Sequence, residues 1–118
     1  TAGYDIYLLQ DLIIEPNEIK KIPTGIKSFF EKDEVLFLIV RSSTGFKYNI
    51  RLCNQVGVID ADYYNNQNNE GHIWLKIQNE GKEKVIIPQG EAIVQGIFLK
   101  YLTTQSDKDR NIKRTSDY

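Results

Sequence analysis

The residues most able to do chemistry lie in two short stretches. Asn54 to Tyr63 reads NQVGVIDADY and places Asp60 and Asp62 on either side of Ala61. Alternate residues of an extended segment share a face, so the two carboxylates point the same way unless the chain turns between them. One such carboxylate could act as general base toward a bound water; the plainer reading is a strand end whose acids cap a turn. Arg41-Ser42-Ser43 forms the second stretch, directly after the apolar run Glu34 to Val40. A guanidinium and two hydroxyls at the end of a rigid strand are good hydrogen-bond donors to an anion. An Arg at a strand terminus can equally lay its stem on apolar surface and keep its head in water. His72, the only histidine, has no ligand pattern around it and reads as structural or surface. Cys53 reads as a small core residue.

Charge and composition narrow the classes. With 15 basic and 16 acidic residues the formal net charge is −1, so the bulk basic excess usual in proteins that grip a nucleic-acid backbone is missing. A small phosphorylated ligand needs only a few placed donors and stays open. One cysteine excludes an internal disulfide framework and a Cys-rich zinc site, and fits a reducing, cytoplasmic setting. No apolar run approaches the ~18 residues of a membrane span, and the opening TAGYD does not resemble a signal peptide. Both ends, Thr1 and Tyr118, read as cut from a longer chain.

The elements that must position these residues are short strands broken by polar turns. Asp11 to Lys20 alternates weakly around Pro16-Asn17, a turn pair between two strands. Glu34 to Val40 (EVLFLIV) predicts a strand buried on both faces. His72 to Gln78 and Val85 to Ile87 predict two more, separated by the turn Asn79-Glu80-Gly81, and Ala92 to Leu102 another. Helical spacing is confined to a turn or two around Thr44 to Tyr48. Tyr64 to Gly71 (YNNQNNEG) reads as an exposed hairpin tip, and Lys82-Glu83-Lys84 as a solvated turn. Trp74 is expected in the core or a subunit contact. Many short strands at near-even spacing argue an all-β sandwich, barrel or jelly roll. One domain is expected over residues 1–102, followed by a polar tail over 103–118.

Four segments together resemble the motifs of the dUTPase family, in the family's order. Ala2 to Ile6 (AGYDI) is similar to the first, Arg41-Ser42-Ser43 to the second, Gly57 to Tyr63 (GVIDADY) to the third, and Gly90 to Gln95 (GEAIVQ) to the fourth. The resemblance implies a distorted jelly roll or β-barrel with little helix, and a homotrimer whose active sites form between subunits. It implies hydrolysis of dUTP to dUMP and pyrophosphate by water attack on the α-phosphorus, with Mg²⁺ on the triphosphate. Asp60 then matches the residue that orients and deprotonates the water, and Gln95 one that helps hold it. Asp5 matches an acid contacting waters of the Mg²⁺ shell, so no protein side chain need ligate the metal directly. Arg41, Ser42 and Ser43 match triphosphate donors. Asn54 and the backbone of Gly57, Val58 and Ile59 match the uracil reader, with Gly57 allowing close approach, and Tyr63 matches an aromatic packed on the deoxyribose.

The sequence also departs from the family. Val40 and Ser43 stand where Pro and Gly are frequent, Ala92 where Arg is frequent, and the Asn65 to Asn69 loop is longer than the family's tight turn. The Gly- and Ser-rich closing arm does not occur within these residues; Arg114 matches its leading arginine. Deoxycytidine triphosphate deaminase shares the fold and the RSS segment, but its chemistry needs a glutamate on the next strand, which reads HIWLKIQ here. A dUTPase-like regulatory binding protein is the reading from another class.

Overall fold

The most apolar run of the chain becomes its central strand. The computed structural model describes residues 1–106. Its elements are β1 (Tyr4–Tyr7), β2 (Leu12–Ile14), β3 (Ile19–Pro23), β4 (Glu34–Val40), α1 (Ser42–Tyr48), β5 (Ile50–Leu52), β6 (Gly57–Asp60), β7 (Trp74–Asn79), β8 (Val85–Ile87) and β9 (Ala92–Lys100). A 3-10 turn, Ala61–Tyr63, follows β6. All pairings are antiparallel and form three sheets, ordered β1-β9-β4-β6, β2-β8 and β3-β7-β5. The sheets do not close into a barrel; the fold is all-β, a distorted jelly roll with one short helix, as expected from the sequence.

β4 lies between β9 and β6 and exposes none of its residues. Val35, Leu36 and Leu38 are buried, while Phe37, Ile39 and Val40 are half-buried, so both faces are covered, the Leu36–Leu38 face more deeply than the face of Phe37 and Ile39. Leu38 is fully buried, and its cross-strand partners on both sides are glycines, Gly57 and Gly96. A Cβ on Gly57 would stand 3.0 Å from the Leu38 Cβ. Gly57 therefore makes room for Leu38, whereas a Cβ on Gly96 would crowd Leu36 Cδ1 at 3.0 Å and meet Leu38 only at an ordinary 3.7 Å. The Pro16-Asn17 turn forms as expected: Asn17 takes a left-handed φ of 67° and Glu18 N–H donates to the Glu15 carbonyl at 3.0 Å. The strands leaving it join different sheets, because β2 pairs β8 and β3 pairs β7.

A buried amide ties these sheets together. Asn79, the last residue of β7, is 0% exposed; its Nδ2 donates to the carbonyls of Ile14 (3.1 Å) and Glu83 (2.8 Å), and its Oδ1 accepts from Gly81 N–H (2.9 Å). All of its side-chain hydrogen-bonding capacity but one lone pair is used, as a group withdrawn from water requires.

The Asn-rich loop differs from the exposed tip expected of it. Asn66 is buried: its Nδ2 donates to the Tyr63 carbonyl and to Asn69 Oδ1, and its Oδ1 accepts from the N–H groups of Asn68 and Asn69. Asn69 in turn donates to the Tyr63 hydroxyl at 2.7 Å and accepts from Gly71 N–H. Asn65, Gln67, Asn68 and Glu70 are exposed as expected, but Asn side chains hydrogen-bond neighbouring backbone readily, and Asn66 and Asn69 cross-link the loop from within. Gly71 closes it at φ 89°, where an added Cβ would stand 2.9 Å from the Asn65 nitrogen and the Tyr64 Cα. Gly71→Ala is expected to cost about 2–3 kcal/mol, because backbone atoms cannot give way as a side chain can. Urea unfolding of the two proteins measures this, and a difference under about 0.5 kcal/mol would contradict the close approach.

Candidate active site

Two groups of candidate residues lie on the outer face of the four-stranded sheet. Register places Asp5 of β1 beside Gln95 of β9, and Gln95 beside Ile39 of β4, in one row. The chain then leaves β4 at Arg41, whose N–H donates to the Ile93 carbonyl at 3.1 Å. Arg41 Nε pairs with Asp5 Oδ1 at 3.1 Å, with side chains 40% and 36% exposed, and its Nη1 makes a long contact (3.4 Å) to the Ala92 carbonyl. An ion pair this accessible to water adds little stability; its effect is to hold the guanidinium beside Gln95. Ser42 and Ser43 occupy the first turn of α1 with exposed side chains. The helix ends at Asn49, left-handed at φ 55°, whose N–H returns to the Gly45 carbonyl. Asp5, Arg41, Ser42, Ser43 and Gln95 thus share one corner, and three of the four motif segments meet there.

Thr44 is a residue the sequence reading missed. It is 1% exposed, and its hydroxyl donates to the Ile93 carbonyl at 2.7 Å, which pins the first turn of α1 to β9. A threonine beside two serines carries no sequence signal that singles it out. Its importance comes from burial at a strand-to-helix junction.

The second group lies around β6. Asn54 is exposed on the turn between β5 and β6. The strands on either side of this turn do not pair with each other: β5 joins β7, and β6 joins β4. β6 is instead an edge strand, so half of its peptide groups face outward. Val58 turns its side chain out, whereas Ile59 is 1% exposed and can offer a ligand only its backbone. Gly57 is needed by Leu38 within the core, which accounts for the glycine without any ligand.

Asp60 ends β6 half-buried, and the chain turns at once into Ala61–Tyr63. Strand alternation therefore stops at Asp60, and Asp62 is an exposed residue of the turn instead of its partner on a strand face. Tyr63 corrects another expectation. It is 1% exposed, and its hydroxyl donates to the His72 carbonyl at 2.6 Å while accepting from Asn69. In this conformation no ring face is open to a deoxyribose, and the residue braces the turn after Asp60 from beneath.

The two groups are far apart within one chain. Asp60 is level with Val35 of β4, and Gln95 with Ile39. Four residues along β4 and two strands across it separate Asp60 from Gln95 by about 17 Å at ordinary strand spacing. Ile39, Phe37, Ile97, Val58 and Leu99 lie on the same outer face between them, and Val58 and Leu99 are each 46% exposed.

The remaining predicted residues are placed more simply. Cys53 is half-exposed at a turn, not in the core, because its N–H and carbonyl are held by Lys76 and Arg51 at the rim of β7. His72 is structural, its Nε2 accepting from Gly25 N–H at 3.0 Å. Trp74 is half-buried, with Lys21 Nζ 4.9 Å from its ring centroid. Arg114 lies outside the described residues. Among the described residues no group of three or more His, Cys, Asp or Glu side chains could hold a metal ion, and no helix is long and apolar enough to cross a membrane.

The family comparisons agree with this architecture. The dUTPase family profile matches residues 1–118. The deoxyuridine 5'-triphosphate nucleotidohydrolase of Lactococcus lactis is 44% identical over 110 residues, covering 93% of this chain and 73% of its own. That of Desulfitobacterium hafniense is 38% identical over 116 residues, with coverage of 91% and 73%. The crystal structure of dUTPase from Streptococcus mutans superposes with a TM-score of 0.81 at 43% identity, covering 89% of this chain and 82% of the other. The native dUTPase of EIAV gives 0.77 at 25% identity, with coverage of 89% and 80%. On its sequence and its fold together, the chain belongs to the dUTPase family.

Proposed function

We propose that this protein hydrolyses dUTP to dUMP and pyrophosphate at sites shared between copies of a homotrimer. The observation that carries the reading is the diagonal placement of two incomplete groups on one sheet face, about 17 Å apart. Neither group alone holds both the Asp60 carboxylate and the Arg41, Ser42 and Ser43 donors, and Asp5 in the second corner is engaged by Arg41. A neighbouring copy packed head to tail can bring its Asp60 corner to the Arg41 corner of the first. Repeating that contact closes a ring in which every site is the same. The partly open apolar stripe between the corners is the kind of surface such contacts cover.

In the completed site each group has a task its chemistry suits. Asp60 accepts a proton from water as the water oxygen bonds to the α-phosphorus, and the bond from that phosphorus to the bridging oxygen of the β-phosphate breaks, releasing pyrophosphate. Gln95 holds the water through an amide that both donates and accepts. Arg41, Ser42 and Ser43 donate to the triphosphate oxygens, where negative charge accumulates. Asn54 and the outward peptide groups of Gly57, Val58 and Ile59 read the acceptor–donor–acceptor edge of uracil. Asp5 is accessible and on the same row as Gln95, so it fits a contact to waters around a triphosphate-bound Mg²⁺ rather than a direct ligand. When bound, that ion supplies neutralisation of phosphate charge. Arg114 is assigned to the start of a closing segment within the 103–118 tail, and residues 1–102 to one catalytic domain. A cytoplasmic location, with neither nucleic acid nor membrane as partner, completes the proposal.

β7 carries no acid from Trp74 to Asn79, which supports phosphate hydrolysis over deamination of a cytosine nucleotide. Incubation with Mg²⁺ and each deoxynucleoside triphosphate should release pyrophosphate from dUTP alone; ammonia from dCTP, or no product at all, would refute the proposal. Asp60→Asn should lower kcat by at least about 10³-fold. Calorimetric affinity for dUTP should stay within about threefold. Turnover near wild type in that variant would remove Asp60 from its role. Mixing and refolding the impaired Asp60→Asn and Gln95→Ala proteins should restore wild-type turnover in about a quarter of the sites, since each shared site can draw an intact corner from either variant. No recovery in a confirmed mixed assembly would place both residues in one chain's site.

A further inference from the structure

Diagonally across from Gln95, two residues before its cross-strand partner Asp5, stands an unexplained glycine. Gly3 precedes β1 by one residue, has no left-handed φ, and is half-exposed. Neither a turn nor the core requires a glycine there. The three atoms nearest a Cβ on Gly3 all belong to the Gln95 side chain: it would fall onto Oε1, with Cδ at 3.1 Å and Cβ at 3.2 Å. Gly3 is two residues before Asp5, the cross-strand partner of Gln95, so both lie on the same face. Gln95 therefore leans diagonally across β1 and rests its amide in the space a side chain at position 3 would fill. Asp5, the other neighbour on β1, is engaged by Arg41.

From this geometry we infer that Gly3 is a positioning residue: its bare backbone fixes the direction of the Gln95 amide. The inference rests on the reading of Gln95 as the group that holds the attacking water. Any side chain at position 3 turns the Gln95 amide out of its seat and along the row. A displacement of about 1 Å in such a group is enough to cost one to two orders of magnitude in rate.

A double-mutant cycle on the full chain tests this. Gly3→Ala should lower kcat about tenfold or more while changing KM less than about twofold, the pattern of a group used only in the reacting state. Gln95→Ala should also lower kcat. In the Gln95→Ala background, adding Gly3→Ala should change kcat less than about twofold, because the displaced atoms are already gone. Any fall in melting temperature caused by Gly3→Ala should likewise be reversed in the double variant. Wild-type kcat in Gly3→Ala, beside an impaired Gln95→Ala, would overturn the role of Gly3 alone. So would losses that multiply in the double variant. Wild-type kcat in Gln95→Ala would overturn the reading of Gln95 and the inference with it.

Discussion

The register of β4 governs everything else in this molecule. Its backbone is hydrogen-bonded on one side to β9 and on the other to β6. Side chains alternate strictly along a strand, so a slip of one residue would carry Leu38 out of the core and turn every residue of the outer face inward. Leu38 packed over Gly57, and Leu36 packed over Gly96, oppose that slip. Two buried leucines packed over glycines therefore set which row faces Asp60 and which faces Gln95. The helix that presents Ser42 and Ser43 begins where this strand ends, and inherits its position from the same register.

Much of the fold was legible in the sequence, and for identifiable reasons. Runs such as EVLFLIV and Val85 to Ile87 are strands because short β-branched and aromatic segments fit a pleated surface. The Pro16-Asn17 turn was readable because proline presets one backbone angle and asparagine tolerates the other. What local pattern could not convey was pairing. β5 and β6 are separated by four residues and still belong to different sheets, so the segment from Gly57 to Asp60 is an edge strand and not half of a hairpin with β5. Among site candidates, the Asp5, Arg41 and Gln95 corner was accessible only as separate motifs. Their contact depends on β1 crossing to β9 from the far end of the described chain. The sugar-packing role of Tyr63 came from the family resemblance, and nothing local reveals that Asn69 and His72 close over its hydroxyl.

Asparagine carries more of the architecture than its polarity suggests. Asn79 joins the ends of β7 and β2 to the approach of β8, and Asn66 with Asn69 builds the loop behind the Asp60 turn. An amide can donate and accept at once, so each of these side chains substitutes for backbone partners where strands stop. Removing one leaves buried peptide groups unpaired, a greater loss than the hydrogen bond itself. The polar tract that composition assigns to solvent is thus part of the frame that holds a carboxylate in place.

The pairing of β1 with β9 has a consequence for how the protein is made. Among the described strands β1 is synthesised before the others, yet its only sheet partner among them is β9, the last. β4 likewise lacks one of its two neighbours until β9 appears. The ribosome must therefore release nearly the whole domain before its largest sheet can form, and the loop closed by that pairing is as long as the domain allows. Until then β4 offers an apolar, unpaired edge to any other nascent copy nearby, and closure by β9 withdraws it.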